Sequence, residues 1–482
     1  MKKRFILLIT GMVICLGLLF YLHVSSRNAL KENNIKNKNN FIAIMIKENG
    51  ATEYTVSSSN SIPVGDYVLN EEKTICENGG KISDYNSETG KIKMSFLGAD
   101  KCYLYFDYEL PFGYISILNN NGGKDTIENK GDVDFDANAT KLNEMFAIDD
   151  EYTPVTGNKS YYFRGRVTKN YLKFGKYITD GPIRGYKSAT SKVNYTEYTS
   201  LEECNAATEN NFNCANAWNI GDDIYWRVVR IAGDNSIKLL YHGASLPTED
   251  TYKWPGTMLF YEKYNEEYNS AEYVGYQYIL GNQHGYGEDA IDSNAKKVLD
   301  NWFIQTTFNT TDAALVADTI FCNDRTVSLT ADGEYGDIEN FPSSNTDYYY
   351  GAVKRIKGFR NDNASTPSLV CPDERDKFTV SNEKGNGALT YPVGLLTIDE
   401  VFLTGSVGYL RINGYRAKTI SPAAFLTKYN SSRIYNIDDP RTGLNLTALV
   451  YNETLIAPVI SLSPEVKLTG TGTWDNPYEV VY

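Results

Sequence analysis

Residues 5–24 read FILLITGMVICLGLLFYLHV, a run without Asp, Glu, Lys or Arg that directly follows Met1-Lys-Lys-Arg4. A helix needs about 20 apolar residues to cross the roughly 30 Å hydrocarbon core of a bilayer. Basic residues before such a run stay on the inner side, so the rest of the chain is expected outside. The run exceeds the usual h-region of about 7–15 residues, and no small-x-small cleavage site follows it. Ile14 precedes Cys15 where a lipidation signal needs a small residue. The reading is an uncleaved signal anchor, with a cleaved signal peptide and secretion as the alternative. The asymmetry of charge is shallow, because Arg27, Lys31, Lys36 and Lys38 follow the run.

Export constrains the fold through the cysteines. Of the seven, Cys15 lies in the apolar run, and the other six fall into the sequential couples Cys76/Cys102, Cys204/Cys214 and Cys322/Cys371. An even set outside the membrane points to disulfides. Six cysteines allow about 15 connectivities, so nearest-neighbour pairing is an expectation rather than a deduction. Free buried thiols are the competing reading.

With 482 residues, 42% hydrophobic, the chain can bury a sizeable core and is expected to hold two or three domains. A net charge of −13 argues against nucleic acid, whose binders need a basic face. The expected class is mostly β with few helices (α+β). Residues 25–40 read as a polar linker. Residues 41–107 hold short strand patterns separated by Gly and Asn turns and form a small Cys-containing β module. Residues 108–131 form a connector, and residues 132–482 form a large, irregular C-terminal domain.

Within that domain, YYFRGRVTKNYLKFG (161–175) and IYWRVVRIAGDNSIKLLYHG (224–243) read as hairpins, turning at Thr168–Asn170 and Gly233–Ser236. Residues 292–308 form the best helical pattern, with Ser293 as cap, and residues 311–319 suggest a second helix capped by Thr311. The adjacent carboxylates Asp399 and Glu400 resemble an acid/base pair. Thr397 three residues before Glu400 is also a capping box, and Asp399 suits the positive end of a helix, so they need no catalytic role.

Asp132, Asp134, Asp136 and Asn138 alternate as calcium ligands can, but Ala137 and Asn143 stand where such a loop needs Gly and Glu. With three His, no HExxH, no CxxC, no GxSxG and no phosphate-binding Gly loop, the chain offers no cofactor or metal site and no catalytic residue that its motifs identify. The 38 Tyr are a better clue. An exposed Tyr offers an apolar ring and a polar tip at low entropy cost. Tyr276, Tyr278, Tyr348, Tyr349 and Tyr350, in Asn- and Gly-rich stretches, are the expected ligand-contacting residues.

The blocks VDFDANAT, SYYFRGRVTKNYLKFG, VLDNWF, DTIFCNDRTV, SLVCPDERDKFTVSNEKGNGALTYPVGLLTIDEV and APVISLSPEVKLTGTGTWDNPYEVV occur in this order. In them the chain resembles a group of exported proteins of low-GC Gram-positive bacteria. Their C-terminal module is distantly similar to the C-type-lectin-like fold shared with formylglycine-generating enzymes. The cysteine pair of those enzymes and the calcium motif of lectins have no counterpart here. The resemblance implies a fold and a location and leaves function open. The combined reading is a membrane-anchored surface protein that binds or adheres to a glycan or protein ligand. An exported hydrolase using two carboxylates distant in sequence, or a passive envelope component, is the alternative.

Overall fold

The computed structural model describes residues 40–48, 51–59, 61–87, 89–122, 126, 144–148, 159–164, 167–186, 195–207, 213–246, 260–268, 270–330, 333–338, 349–355, 367–403, 417–422, 432–437 and 447–482. The expected signal anchor, the polar linker, the Asp132–Asn138 cluster and Tyr348 lie outside them. Among the described residues no helix is long and apolar enough to cross a membrane. Strands dominate and helices are few. The chain divides into two compact units, Met1–Pro111 and Phe112–Tyr482.

The first unit is built on two strands in parallel, β1 (Phe41–Lys47) and β7 (Lys101–Tyr108), in register from Phe41↔Lys101 to Lys47↔Asp107. Between them run β2 (Thr55–Val56), β3 (Tyr67–Leu69), β4 (Ile75–Cys76) and the hairpin of β5 (Lys81–Asn86) with β6 (Lys91–Ser95). Alternation along β7 turns Cys102, Leu104 and Phe106 inward, where they meet Ile44 of β1. Strands β3 and β4 pair along the other edge of β7, and Cys76 lies opposite Cys102, to which it is disulfide-bonded.

The second unit centres on an eight-stranded sheet. Its strands are β8 (Glu144–Ile148), β9 (Ser160–Arg164), β10 (Tyr171–Lys176), β11 (Asp223–Ile231), β12 (Ile237–Gly243), β13 (Val459–Leu462), β14 (Lys467–Thr469) and β15 (Tyr478–Val481). The main path runs β13-β12-β11-β10-β15-β14, with β10 and β15 parallel. Every residue of β12 is buried, which marks a central strand covered on both faces. Trp226 of β11, Trp302 and Phe308 pack with ring centroids 5.6–6.0 Å apart, and the Trp226 indole donates to the Phe174 carbonyl at 2.9 Å. Gly175, at φ +82°, lies so close to Phe308 that a Cβ would fall 2.1 Å from its ring.

The β11–β12 hairpin turns where the sequence predicts, with Asn235 at φ 67° and the Ser236 amide donating to Asp234. The other expected hairpin does not form. β9 and β10 do not pair with each other. Both pair with the long β11, β9 at Arg230 and Ile231 and β10 at Arg227 to Tyr225. A local turn signal is outcompeted there by a strand long enough to take two partners.

Among the described residues the second unit carries α1 (Gly113–Asn120), α2 (Leu201–Ala206), α3 (Asn294–Phe303) and α4 (Ile398–Leu403), and residues 351–355 are helical as well. α1 replaces part of the expected connector and packs at β14, where Gly113 donates to the Val466 carbonyl. The Ser293 hydroxyl accepts from the Lys296 amide, as its cap position predicts. The helix expected at 311–319 is one short turn, Ala313–Leu315. Val316 then bridges to Leu462 and Ala317 donates to Ser461, so sheet pairing overrides the local pattern.

All three expected disulfides are present: Cys76–Cys102, Cys204–Cys214 and Cys322–Cys371. The second joins α2 to strand Asn213–Asn216, and the third joins strand Phe321–Cys322 to the segment leading into the turn Glu374–Asp376.

Candidate functional site

Strand register places an unusual row of side chains across the sheet of the second unit. Tyr162, Arg230, Lys238 and Ser461 are successive cross-strand partners on β9, β11, β12 and β13. Period-two alternation puts Ala232 on the same face as Arg230, and Ser236 on the same face as Lys238. Arg230 and Lys238 are 3% and 2% exposed, and charge at that depth requires partners.

One partner comes from α4. The Glu400 carboxylate accepts from Arg230 Nε at 3.0 Å and from Lys238 Nζ at 2.6 Å. Its other oxygen accepts from the Thr397 amide, while the Thr397 hydroxyl accepts from the Glu400 amide. The capping box is therefore present, and the same carboxylate is half of a buried ion cluster. Burial alone would raise the Glu400 carboxyl, but the Lys238 and Arg230 charges outweigh it and hold the group below its ordinary range.

Asp399 faces another cation. Arg355 donates to both of its oxygens, at 2.6 and 2.8 Å, and to Asp324 at 3.0 Å. Burial pushes the Asp324 carboxyl up despite Arg355. Arg355 is raised because Asp399 and Asp324 outweigh its burial. Neither Asp399 nor Glu400 has the look of an acid/base pair, since each is committed to a cation.

Beside this cluster opens a cleft of about 290 Å³ lined by Arg230, Ala232, Asp234, Ser236, Lys238, Asp318, Thr319, Ile320, Lys384 and Ser461. The volume approaches the lower end of small-molecule sites, about 300 Å³. Thr319 and Ser461 share a hydrogen bond of 2.9 Å between hydroxyls. Asp318 accepts from the Val380 and Ser381 amides and fixes that loop against the wall, and Lys384 donates to the Asp318 carbonyl. Ser236 is 1% exposed, yet its hydroxyl has no hydrogen-bond partner among the described residues. A buried, unsatisfied hydroxyl costs about 1–3 kcal/mol, and Ser236, a residue of the cleft lining, carries one.

A further cluster surrounds His284. Its Nδ1 is 3.0 Å from buried Asp376, and its Nε2 is 3.2 Å from the exposed Asp337. Asp376 also accepts from the Arg325 amide and from Arg325 Nε, each at 2.7 Å. Arg375 spans Asp337 and Asp373, and its hydrogen bonds hold the Asp373 carboxyl down at about 2.

The tyrosines expected to form a binding surface lie elsewhere. Tyr276, Tyr278 and Tyr350 are buried, and Tyr349 is half-buried in a short strand paired with Val327–Ser328. The Tyr276 ring packs on Phe378, and the Tyr350 hydroxyl donates to the Ala271 carbonyl. Exposure, the premise for choosing them, is corrected for these three: their rings fill the core. Sequence reasoning missed Ser236, Asp318 and Lys384 because nothing local separates them from other turn and loop residues. Their convergence depends on pairing between β12 and β13, more than 200 residues apart in the chain.

Compared with known proteins, the chain matches no family model, no curated protein and no solved structure.

Proposed function

We propose that this is an exported surface protein, anchored by residues 5–24, that binds a polyhydroxyl ligand the size of one or two sugar residues in the Ser236–Lys384 cleft. The resemblance to exported C-type-lectin-like proteins is part of the same proposal. The single observation that carries the binding reading is the buried, unpartnered Ser236 hydroxyl on the wall of a roomy cleft. The lining suits a sugar. Carboxylates of Asp234 and Asp318 accept, Lys384 donates, and the Ser and Thr hydroxyls do either, while Ala232 and Ile320 supply apolar contact. Export is supported by three disulfides in a chain that begins with a basic, then apolar, leader.

Binding without turnover is preferred to catalysis because the carboxylates nearest the cleft are held by cations or backbone amides. A glycan array probed with the purified chain tests this. Retention on defined saccharides, lost in Lys384→Glu, supports it. Hydrolysis of any arrayed glycan places the protein among hydrolases instead.

A further inference from the structure

We propose that His284 Nε2, Asp337 and Asp373 form a binding site for a divalent first-row transition metal, with zinc the best match to one imidazole and two carboxylates. The three ligand atoms lie within 4.8 Å of one another. Tetrahedral zinc, at about 2.0–2.1 Å from each ligand, needs them about 3.4 Å apart, so binding draws the ligand atoms closer together.

The support behind the imidazole argues for a ligand more strongly than the cluster itself. A metal-binding His normally gives its second ring nitrogen to a carboxylate, which fixes both tautomer and ring plane. Here Asp376, fully buried, lies 3.0 Å from His284 Nδ1 and is itself held by the Arg325 amide and guanidinium. Arg325 is anchored in turn by donating to the Gln277 and Gly285 carbonyls. With the proton on Nδ1, the Nε2 lone pair is directed at the two aspartates. The ring is buried, whereas the Asp337 side chain is 57% exposed, which gives an ion a path in from solvent.

Arg375 occupies the position a metal would take. Its guanidinium contacts Asp337 at 2.7 Å and Asp373 at 2.5 Å. It is 41% exposed, and it offers one positive charge where a dication offers two. The arginine therefore acts as a placeholder that competes with metal. Three protein ligands leave a coordination position for an outside oxygen or nitrogen group. The Cys322–Cys371 disulfide ties together the segments that carry Arg325 and Asp373–Asp376.

Zinc titration of the purified full chain by calorimetry, with cobalt as a spectroscopic probe of the same site, tests the proposal. The expected result is one zinc per chain, weakened at least about tenfold by Asp337→Asn or Asp373→Asn and tightened about tenfold by Arg375→Ala. These three positions lie at or near the surface, so their variants keep the fold even if His284→Ala does not. The absence of saturable zinc binding in both the native chain and Arg375→Ala overturns the proposal. So does zinc affinity that is indifferent to all three substitutions.

Discussion

The two units differ in where they place ion pairs, although the first also buries one carboxylate, Asp100, against backbone amides. In the first, four residues (Ile44, Cys102, Leu104 and Phe106) make up the buried core, and ion pairs such as Lys93–Asp84 stay in solvent. In the second, a continuous core surrounds Arg230, Lys238, Glu400, Asp324, Arg325 and Asp376, all 3% exposed or less. Below about 70–80 residues a single core rarely supplies more than about 3–5 kcal/mol, so a module the size of Phe41–Tyr108 depends on its disulfide. A larger core can carry the desolvation of buried ions, and buried ions fix side chains in place. The first unit is thus held by a covalent link. The second uses its surplus stability to position charge around a cleft.

The sharpest way to break this contrast is Glu400→Ala. It leaves Arg230 and Lys238 without their shared carboxylate in the interior, and removal of one member of a buried ion pair costs about 3–5 kcal/mol. Calorimetry should show the transition of the second unit fall while that of the first stays in place. Replacing Cys76 and Cys102 with Ser should do the reverse. Opening a loop with a sequence separation of 26 costs about 3–4 kcal/mol on the chain-entropy model, and proteolysis should then cut within residues 41–108. If both substitutions lower a single common transition, the units do not melt separately and the contrast fails.

Acid gives a smaller and graded effect. The Glu400 carboxyl is held below its unfolded value of about 4.3, so its contribution is complete above that pH and is lost as pH falls through the folded value. The stability gap between the native chain and Glu400→Gln should therefore hold from pH 7 to about 5 and narrow below about pH 4. A gap that widens in acid would assign Glu400 the opposite sign. At the small end, Lys93→Ala should leave the melting of the first unit unchanged, because the Lys93–Asp84 pair is exposed and screened.

Legibility in the sequence tracks the range of the interactions involved. The disulfides, the Ser293 cap, the Thr397/Glu400 box and the Gly233–Ser236 turn were readable, because each depends on residues close in the chain or on a short list of pairings. The β9–β10 hairpin and the 311–319 helix that local signals predict do not form, because β11 and β13 supply stronger, non-local pairing. Tyr composition pointed to a surface, but a Tyr whose hydroxyl finds a carbonyl packs as well as Phe, and Tyr350 does so. The cleft and the His284 cluster had no local signature. Lys238 meets Glu400 across 162 residues and His284 meets Asp376 across 92, and no spacing rule reaches that far.

The cleft by Ser236 is, on this reading, built for a ligand and not for stability. The direct measurement is a side-by-side titration of an array-identified saccharide into the native chain and Ser236→Ala, with thermal melting of both. Deleting an unsatisfied buried hydroxyl should leave the second unit as stable or more stable by about 1 kcal/mol, while saccharide affinity falls about tenfold. Unchanged affinity in Ser236→Ala, or a clear loss of stability with binding intact, would contradict a ligand-binding role for the cleft.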